Sequence, residues 1–150
     1  LIGDEDRIEE AITRLSRVGF DNTIGYLKGG FKSWIDASKE TDTVETISAI
    51  DLKSIVEDAP VFDVRKPGEF QSEHLPNAVH TSLSEINEHL SEYPESEKFY
   101  LHCAGGYRSM IAASILKSRG IHNFVDVKGG FKAMREAGLK TTDYVCPSTL

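Results

Sequence analysis

The sequence predicts an α/β fold with a mainly parallel, five-stranded sheet and helices on both of its faces. Between residues 47 and 138, short apolar runs typical of buried strands alternate with segments whose apolar residues keep helical spacing. Helix-capping residues and glycines mark where the helical segments begin and end. This alternation of strand and helix signals indicates a mainly parallel sheet.

The first half of this stretch predicts two helices, two strands and a helical turn. Asp51 caps the first helix, which runs through Val56, because an aspartate side chain accepts the free amide hydrogens of a first helical turn. The elements that follow are a strand at residues 61–64, a helical turn from Pro67, a strand at residues 78–79, and a helix that Ser82 or Ser84 caps and that contains Leu83, Ile86 and Leu90.

The second half predicts two strands, each followed by a helix. The elements are a strand at residues 99–101 that ends at His102 and Cys103, a helix from near Arg108 to the stop at Gly120, a strand at residues 124–127, and a helix after Gly129 and Gly130. His102 should point to the opposite face from Cys103, because neighbouring residues of an extended segment alternate. This favours packing over proton transfer for His102.

A sequence repeat extends to the N-terminus. Residues 29–34, Gly-Gly-Phe-Lys-Ser-Trp, recur as Gly-Gly-Phe-Lys-Ala-Met at residues 129–134, and upstream positions match with one gap. We therefore expect residues 1–38 to be the C-terminal half of a second, diverged repeat in a fragment of a longer protein. The expected divisions are a remnant at 1–38, a linker at 39–46, a catalytic domain at 47–138 and a tail at 139–150.

The remnant should contain a helix at about residues 5–18, a strand at about 23–27 and a helix at about 29–38. Its apolar side chains suit one side of a sheet whose other strands are absent from this chain. Leaving them exposed is unfavourable, at roughly 25 cal/mol per Å². We therefore expect association through residues 1–38 with another chain or with a missing N-terminal domain.

Composition excludes several classes of function. Two cysteines in 150 residues do not make a disulfide framework, and the sequence shows neither a membrane-length apolar run nor a secretion signal, so we expect a cytoplasmic protein without membrane contact. A formal net charge of -7 argues against nucleic-acid binding. The five histidines show no metal-ligand spacing, so no metal site is expected in this chain.

The segment from Cys103 to Ser109, Cys-Ala-Gly-Gly-Tyr-Arg-Ser, lies between a predicted strand and helix. Ligands of parallel sheets bind at this edge. The two glycines allow positive φ angles that turn successive N–H groups inward, and the helix end adds a positive dipole. Such a cradle lowers the pKa of a thiol, which makes Cys103 a candidate nucleophile. The alternative is a buried structural cysteine.

At these residues the sequence resembles the rhodanese family. The matching elements are Asp63-Val64-Arg65, Glu69-Phe70, His74-Leu75-Pro76-Asn77-Ala78, the Cys103–Ser109 loop and the closing Gly-Gly-Phe. They cover residues 47–138 in order. Asn77 stands where the family has glycine, a change that asparagine tolerates because it also adopts the left-handed conformation.

The resemblance implies a sulfurtransferase that moves sulfane sulfur from thiosulfate or a persulfide to cyanide, sulfite or a thiol. Cys103 would carry the sulfur as a covalent persulfide, with ping-pong kinetics and no other cofactor in this chain. Arg108 would be the second catalytic residue, shaping the loop or meeting an anionic substrate. The implied substrate-binding residues are Ala104, Gly105, Gly106, Tyr107 and Arg65, and the implied supporting residues are Asp63, Glu69 and Ser109, with either Asp63 or Glu69 holding Arg108.

Two other readings of the loop remain open. Phosphatases and arsenate reductases share the rhodanese fold, but their loops place one residue more between cysteine and arginine, and the four residues here favour a single sulfur atom. A sulfur-binding regulatory module is the other reading. Cys146, in the tail, is either a sulfur relay or a spectator thiol.

The first repeat copy should be catalytically inactive. Ile2 stands opposite Cys103, and acidic residues 4–6 replace the small residues of the loop. Tandem units with an inactive first copy resemble the C-terminal part of fusions with a metallo-β-lactamase-fold persulfide dioxygenase. That resemblance implies iron in a missing N-terminal domain.

Overall fold

Residues 1–146 are described by a computed structural model, which divides the chain into a first unit, Leu1–Thr43, and a second unit, Val44–Leu150. The boundary falls inside the segment predicted as a linker, residues 39–46. The tail was predicted at residues 139–150, and its last four residues, 147–150, lie outside the described part of the chain.

The sheet of the second unit has five short strands, all parallel to their neighbours. The strands are β1 Thr46–Ile47, β2 Val61–Asp63, β3 Ala78–His80, β4 Phe99–His102 and β5 Phe124–Val127. Their order is β1-β5-β4-β2-β3, which places β4 at the centre. The predicted α/β fold with a five-stranded parallel sheet is confirmed. Since the strands are parallel, the residues that follow them meet at one edge.

Helices cover both faces of this sheet. They are α3 Ala49–Lys53, α4 Pro67–Ser72, α5 Tyr107–Ser118 and α6 Gly130–Glu136, while α1 and α2 belong to the first unit. Alternate residues of β2 enter two separate cores: Phe62 packs with residues of α5, and Val61 packs with residues of α3 and α6. Both cores are built from apolar side chains that are almost fully buried.

Two predicted elements differ in the structure. Ser48, not Asp51, caps α3, because its hydroxyl accepts the Asp51 amide hydrogen at 3.1 Å, and this helix ends at Lys53 instead of Val56. The helix predicted after Ser82 is two short 3-10 turns, Leu83–Glu85 and Leu90–Glu92. Ile86 is buried and Leu83 and Leu90 are half-buried, but three apolar residues at helical spacing did not sustain a continuous helix.

The tail of the second unit is held against the end of α4. The Thr142 and Val145 amides donate to the carbonyls of His74 and Ser72, each at 2.8 Å, and the Ser72 hydroxyl donates to the Val145 carbonyl at 2.6 Å. These backbone contacts fix the residues that precede Cys146.

The first unit contains a 3-10 turn, Glu5–Arg7, and two helices, α1 Ile8–Ser16 and α2 Gly30–Asp36. Within residues 1–43 the structure has no strand, so the strand predicted at residues 23–27 is wrong. Ile24 in this segment is 97% exposed, and a strand needs a paired neighbour along its length. Two hydrogen bonds join Leu1 to this segment: its amino group donates to the Gly25 carbonyl, and its carbonyl accepts from the Leu27 amide.

The two Gly-Gly-Phe turns adopt the same backbone conformation. Gly29 and Gly129 both have φ of 75°, and Gly30 and Gly130 have φ of 59° and 55°. A seven-residue helix follows each turn. This likeness is confined to the turn and its helix, and a whole preceding repeat stays a prediction.

Candidate active site

Cys103 directly follows β4, the central strand, at the carboxyl edge of the sheet. Its side chain belongs to the core that packs under α5, and the residue is only 1% exposed. The loop that follows reaches α5 at Tyr107, one residue before the predicted start at Arg108. The sheet and α5 therefore hold the thiol between them, with the loop backbone around it.

The loop backbone turns toward the sulfur through Gly106. With φ of 100°, Gly106 adopts a left-handed conformation, and its N–H donates to Cys103 Sγ at 3.2 Å. Of the two glycines that allow positive φ angles in this loop, Gly106 has one and Gly105 does not. The requirement for glycine at position 106 is conformational, because residues with a Cβ rarely adopt this φ.

The start of α6 supports the same loop from its other side. The Phe131 amide donates to the Cys103 carbonyl at 2.7 Å, and the Lys132 amide donates to the Ala104 carbonyl at 3.1 Å. A Cβ on Gly130 would lie 2.3 Å from the Cys103 carbonyl oxygen, so only glycine fits there. In the sequence, Gly-Gly-Phe stands out as a repeated segment and a family element, but nothing local to it indicates this supporting contact.

Several hydrogen bonds favour the thiolate of Cys103. Burial raises the pKa of the thiol, but hydrogen bonds from the Ser109 hydroxyl and from the amides of Ser109, Gly105 and Gly106 outweigh it, so the pKa lies below its ordinary value. This is the direction that the sequence predicts. Ser109 is fully buried, and its hydroxyl oxygen also lies 3.1 Å from the Gly106 carbonyl oxygen.

Glu69 is the carboxylate that holds Arg108. Two parallel hydrogen bonds of 2.6 and 2.8 Å join the guanidinium to the carboxylate, and this fork fixes the plane of both groups. The same carboxylate accepts the Lys66 amide at 3.1 Å, which ties it to the start of α4. Its hydrogen bonds to Arg108 lower the pKa of Glu69 against the effect of burial, and the pairing raises the pKa of Arg108. The alternative left open by the sequence, Asp63, is excluded by this geometry.

Asp63 and Arg65 form a separate, buried ion pair. Arg65 Nη2 lies 2.6 Å from Asp63 Oδ2, and this nitrogen also donates to the Glu73 carbonyl at 2.8 Å. The guanidinium carbon stacks 3.9 Å from the centre of the Phe131 ring. Arg65 was predicted to bind substrate, but its guanidinium contacts protein groups and its side chain is 5% exposed. Its contacts with Asp63 and Phe131 join β2 to α6, and α6 in turn holds the Cys103 loop.

The other predicted substrate-binding residues differ in exposure. Ala104 is half-buried, Gly105 is exposed, and Tyr107 is 83% exposed at the first turn of α5. His102 is fully buried on the opposite side of β4, where its ring stacks with Phe131. Burial lowers the pKa of His102. The packing position agrees with the alternation expected along the strand.

The described residues provide neither a cluster of metal ligands nor a helix that could cross a membrane. Residues 1–146 contain no group of three or more His, Cys, Asp or Glu side chains arranged to hold a metal ion. None of the helices in this part of the chain is long and apolar enough to span a bilayer. The cytoplasmic location stays a prediction.

The fold and the loop define an α/β domain with a nucleophilic cysteine at the carboxyl edge of its central strand. Residues 48–137 match the family model described as a rhodanese-like domain. The chain belongs to the rhodanese-like domain family. The match begins after the first unit, so the comparison with this family does not extend to residues 1–38.

Curated relatives and solved structures agree with this placement. A Bacillus subtilis protein provisionally named as a sulfur carrier is 31% identical over 108 residues, 70% of this chain and 56% of its own length. The thiosulfate sulfurtransferase GlpE of Pseudomonas syringae is 32% identical over 77 residues, 51% of this chain and 73% of its own. A rhodanese-related protein of Thermoplasma volcanium superposes with a TM-score of 0.60 at 32% identity, covering 65% of this chain and 97% of its own. The chain thus spans a little over half of the first of these relatives.

Proposed function

We propose that the second unit is a sulfurtransferase that carries sulfane sulfur as a persulfide on Cys103. The donor is thiosulfate or a persulfide, and the acceptor is cyanide, sulfite or a thiol. The observation that carries this proposal is the hydrogen bond from the Gly106 N–H to Cys103 Sγ. Together with the other hydrogen bonds of the loop, it lowers the pKa of the thiol. A nucleophile of this kind needs the thiolate, because the thiol is a far weaker nucleophile.

Loading begins when the Cys103 thiolate attacks the outer sulfur of thiosulfate. A new S–S bond forms, the S–S bond of the donor breaks, and sulfite leaves with its electron pair. The negative charge then lies on the terminal sulfur of the persulfide, where the inward N–H groups of the loop favour it. The second half-reaction passes this sulfur to the acceptor and returns the Cys103 thiolate. No cofactor is needed beyond the covalent persulfide.

Loop size and the names of the relatives support sulfur over phosphate as the transferred group. Four residues separate Cys103 from Arg108, and both ends of this short loop are occupied, since Arg108 pairs with Glu69 while α6 holds the Cys103 carbonyl. The guanidinium is therefore directed to a carboxylate of the protein. Three curated relatives are named as a sulfur carrier or as sulfurtransferases.

The setting of this activity in a longer protein is part of the proposal. A partner with a metallo-β-lactamase fold and iron would produce or consume the same persulfide, and it remains an expectation from the family resemblance. Without such a partner, the second unit would serve as a sulfur-binding regulatory module only if Cys103 loaded sulfur and no acceptor removed it.

The proposal is tested by the mass of the intact chain after incubation with thiosulfate. The wild-type chain should gain one sulfur, and cyanide should remove it. Cys103→Ser should abolish this gain without unfolding the chain, because serine is nearly isosteric but forms no persulfide. Cys146→Ser is the matched control and should load and turn over as the wild type does.

Two results would contradict parts of this picture. An unmodified wild-type chain that hydrolyses a phosphoryl ester would replace the sulfurtransferase by a phosphatase. Loading that persists in Cys146→Ser while turnover stops would make Cys146 a relay and not a spectator.

A further inference from the structure

His102 is a buried polar side chain beside the Cys103 loop, and the proposed reaction gives it no part. The residue is fully buried, and its Nδ1 lies 3.2 Å from the carbonyl oxygen of Cys103. A carbonyl oxygen only accepts hydrogen bonds, so Nδ1 carries a hydrogen and donates it in this contact. The second ring nitrogen, Nε2, has no hydrogen-bond partner among residues 1–146. One nitrogen of the ring is thus committed to the loop, and the other is left unpaired.

The surroundings of the ring favour its neutral form. Asp63 Oδ2 lies 3.8 Å from His102 Nε2, but this oxygen already contacts Arg65 through Nε at 2.8 Å and Nη2 at 2.6 Å. Burial lowers the pKa of His102, and the attraction of Asp63 and the Cys103 carbonyl opposes this shift only in part. On α6, Phe131 faces the ring with an uncharged aromatic side chain. The neutral ring has a single N–H hydrogen, and the contact with Cys103 places it on Nδ1.

Packing alone does not account for a histidine at this position. A buried nitrogen without a partner is unfavourable, and an apolar side chain of similar size would avoid it. What the histidine adds is the hydrogen bond from Nδ1 to the Cys103 carbonyl. The same carbonyl accepts the Phe131 amide at 2.7 Å. Its oxygen has two lone pairs, so both are used, and donors from β4 and α6 hold the carbonyl together.

A carbonyl held by two donors fixes the first peptide group of the loop. The C=O and N–H of a trans peptide lie in one plane and point in opposite directions, so the Cys103 carbonyl sets the direction of the Ala104 N–H. The next two residues, Gly105 and Gly106, donate their amides to the Cys103 thiol. A change in the first peptide plane would therefore displace the amides that lower the pKa of the thiol.

We propose that His102 is a positioning residue for the sulfur-carrying cysteine, and that it acts as the neutral tautomer with its hydrogen on Nδ1. The ring holds the Cys103 carbonyl and so keeps the loop amides directed at Sγ. It transfers no proton in either half-reaction. The inference rests on the proposed function for its effect on sulfur loading, while the tautomer and the reactivity of the thiol are measured without any sulfur donor.

The tautomer is measured by nitrogen NMR of the full wild-type chain with isotope-labelled histidine, its signals assigned through bonds to the backbone. The shifts of the two ring nitrogens distinguish a nitrogen that carries hydrogen from one that does not. His102 should show a hydrogen on Nδ1 and none on Nε2 at neutral pH. The opposite tautomer, or a ring with hydrogen on both nitrogens, would overturn the inference. This measurement decides the matter even if a variant at position 102 fails to fold.

Substitutions at position 102 test the contact itself, through the pH midpoint of Cys103 alkylation by iodoacetamide. The amide nitrogen of His102→Asn lies near the position of Nδ1, that of His102→Gln lies near Nε2, and His102→Leu has no donor. His102→Asn should keep the wild-type midpoint and loading rate. His102→Gln and His102→Leu should shift the midpoint upward and slow loading about tenfold, the ratio that one hydrogen bond typically supports. His122→Asn, at an exposed histidine, is the matched control and should change neither.

Stability separates this role from packing. All three variants lose the ring that stacks on Phe131, so each should unfold at lower urea concentration than wild type. Packing alone predicts the same shift of the alkylation midpoint in folded His102→Asn as in His102→Leu, and that result would overturn the inference. Loss of turnover in His102→Asn with an unchanged midpoint would also overturn it, because it would indicate proton transfer. A wild-type chain that never loads sulfur would overturn the proposed function, and the tautomer and the midpoints would still decide the role of His102.

Discussion

At the scale of single residues, the chemistry depends on two properties of Cys103. Its thiol is buried, and protein groups donate hydrogen bonds to it in place of water. Removing a thiolate from water is costly, and burial alone would raise its pKa. The loop replaces water with N–H groups and the Ser109 hydroxyl, and the net effect is a lowered pKa. Such a thiolate forms at lower pH than that of an ordinary cysteine, and a thiol of lower pKa is also a better leaving group when the sulfur is passed on.

The first prediction concerns the pH dependence of Cys103 alkylation. Because the folded-state pKa is lowered, the thiolate forms at lower pH than in an unfolded chain, where a cysteine titrates near about 8.5. The rate of reaction with iodoacetamide should therefore reach half of its plateau at lower pH in the folded chain. Peptide mass spectrometry of Cys103 measures this, with the urea-unfolded chain as control. The same midpoint in both states would show that the loop does not activate the thiol.

A second prediction concerns Arg108. Its positive charge attracts the Cys103 thiolate, and the pairing with Glu69 holds it in place. Replacing Arg108 by Ala should shift the alkylation midpoint of Cys103 upward and slow loading several-fold, since charge interactions of partly exposed groups contribute about 0.2–1 kcal/mol. Glu69→Gln, which keeps the arginine but weakens its fixation, should give a smaller effect. An alkylation profile unchanged in Arg108→Ala would rule out this electrostatic role.

At the scale of elements, the loop is fixed by two helix starts. The first turn of α5 supplies the Ser109 hydroxyl and amide, while the first turn of α6 binds the Cys103 and Ala104 carbonyls. The sequence predicted both helices and the role of α5, because the cysteine loop leads directly into it. It could not show that α6 returns to the same loop, since that contact joins residues separated by a strand and a helix.

The third prediction follows from this contact. Gly130 has φ of 55°, and a Cβ there would meet the Cys103 carbonyl oxygen at 2.3 Å. Gly130→Ala should destabilise the chain by at least about 1–3 kcal/mol, the usual cost of a strained left-handed residue, and it should also disturb loading. Gly68→Ala is the control, because nothing lies within 4 Å of a Cβ at that position. Urea unfolding of both variants measures the difference, and equal midpoints would contradict the contact.

At the scale of the whole chain, features set by local sequence patterns could be predicted. Features that depend on contacts between residues far apart in the sequence could not. The order of strands and helices, the parallel sheet and the position of Cys103 follow from local patterns, and residues 61–64 and 124–127 were placed within one residue of β2 and β5. The choice of Glu69 over Asp63 as the partner of Arg108 depends on contacts between distant residues. The strand expected at residues 23–27 failed because local apolar pattern does not supply the pairing that a strand requires.

The last prediction concerns the apolar side chains of the first unit. Val18, Phe20 and Ile24 are 69%, 68% and 97% exposed, which is unfavourable for a chain on its own. We propose that another chain covers them, as the sequence pattern of residues 1–38 predicts. Light scattering of the full chain should then give a mass above that of one copy at high concentration.

A pair of matched variants tests this surface directly. Phe20→Ser combined with Ile24→Ser should return the mass toward a single copy, because burial of their side chains contributes roughly 25 cal/mol per Å² to association. Ile50→Ser removes a side chain that is 73% exposed on the second unit, so it should leave the mass unchanged. A wild-type chain that stays a single copy at every concentration would contradict self-association. Equal loss of mass in both variants would show that the association does not depend specifically on the apolar side chains of the first unit.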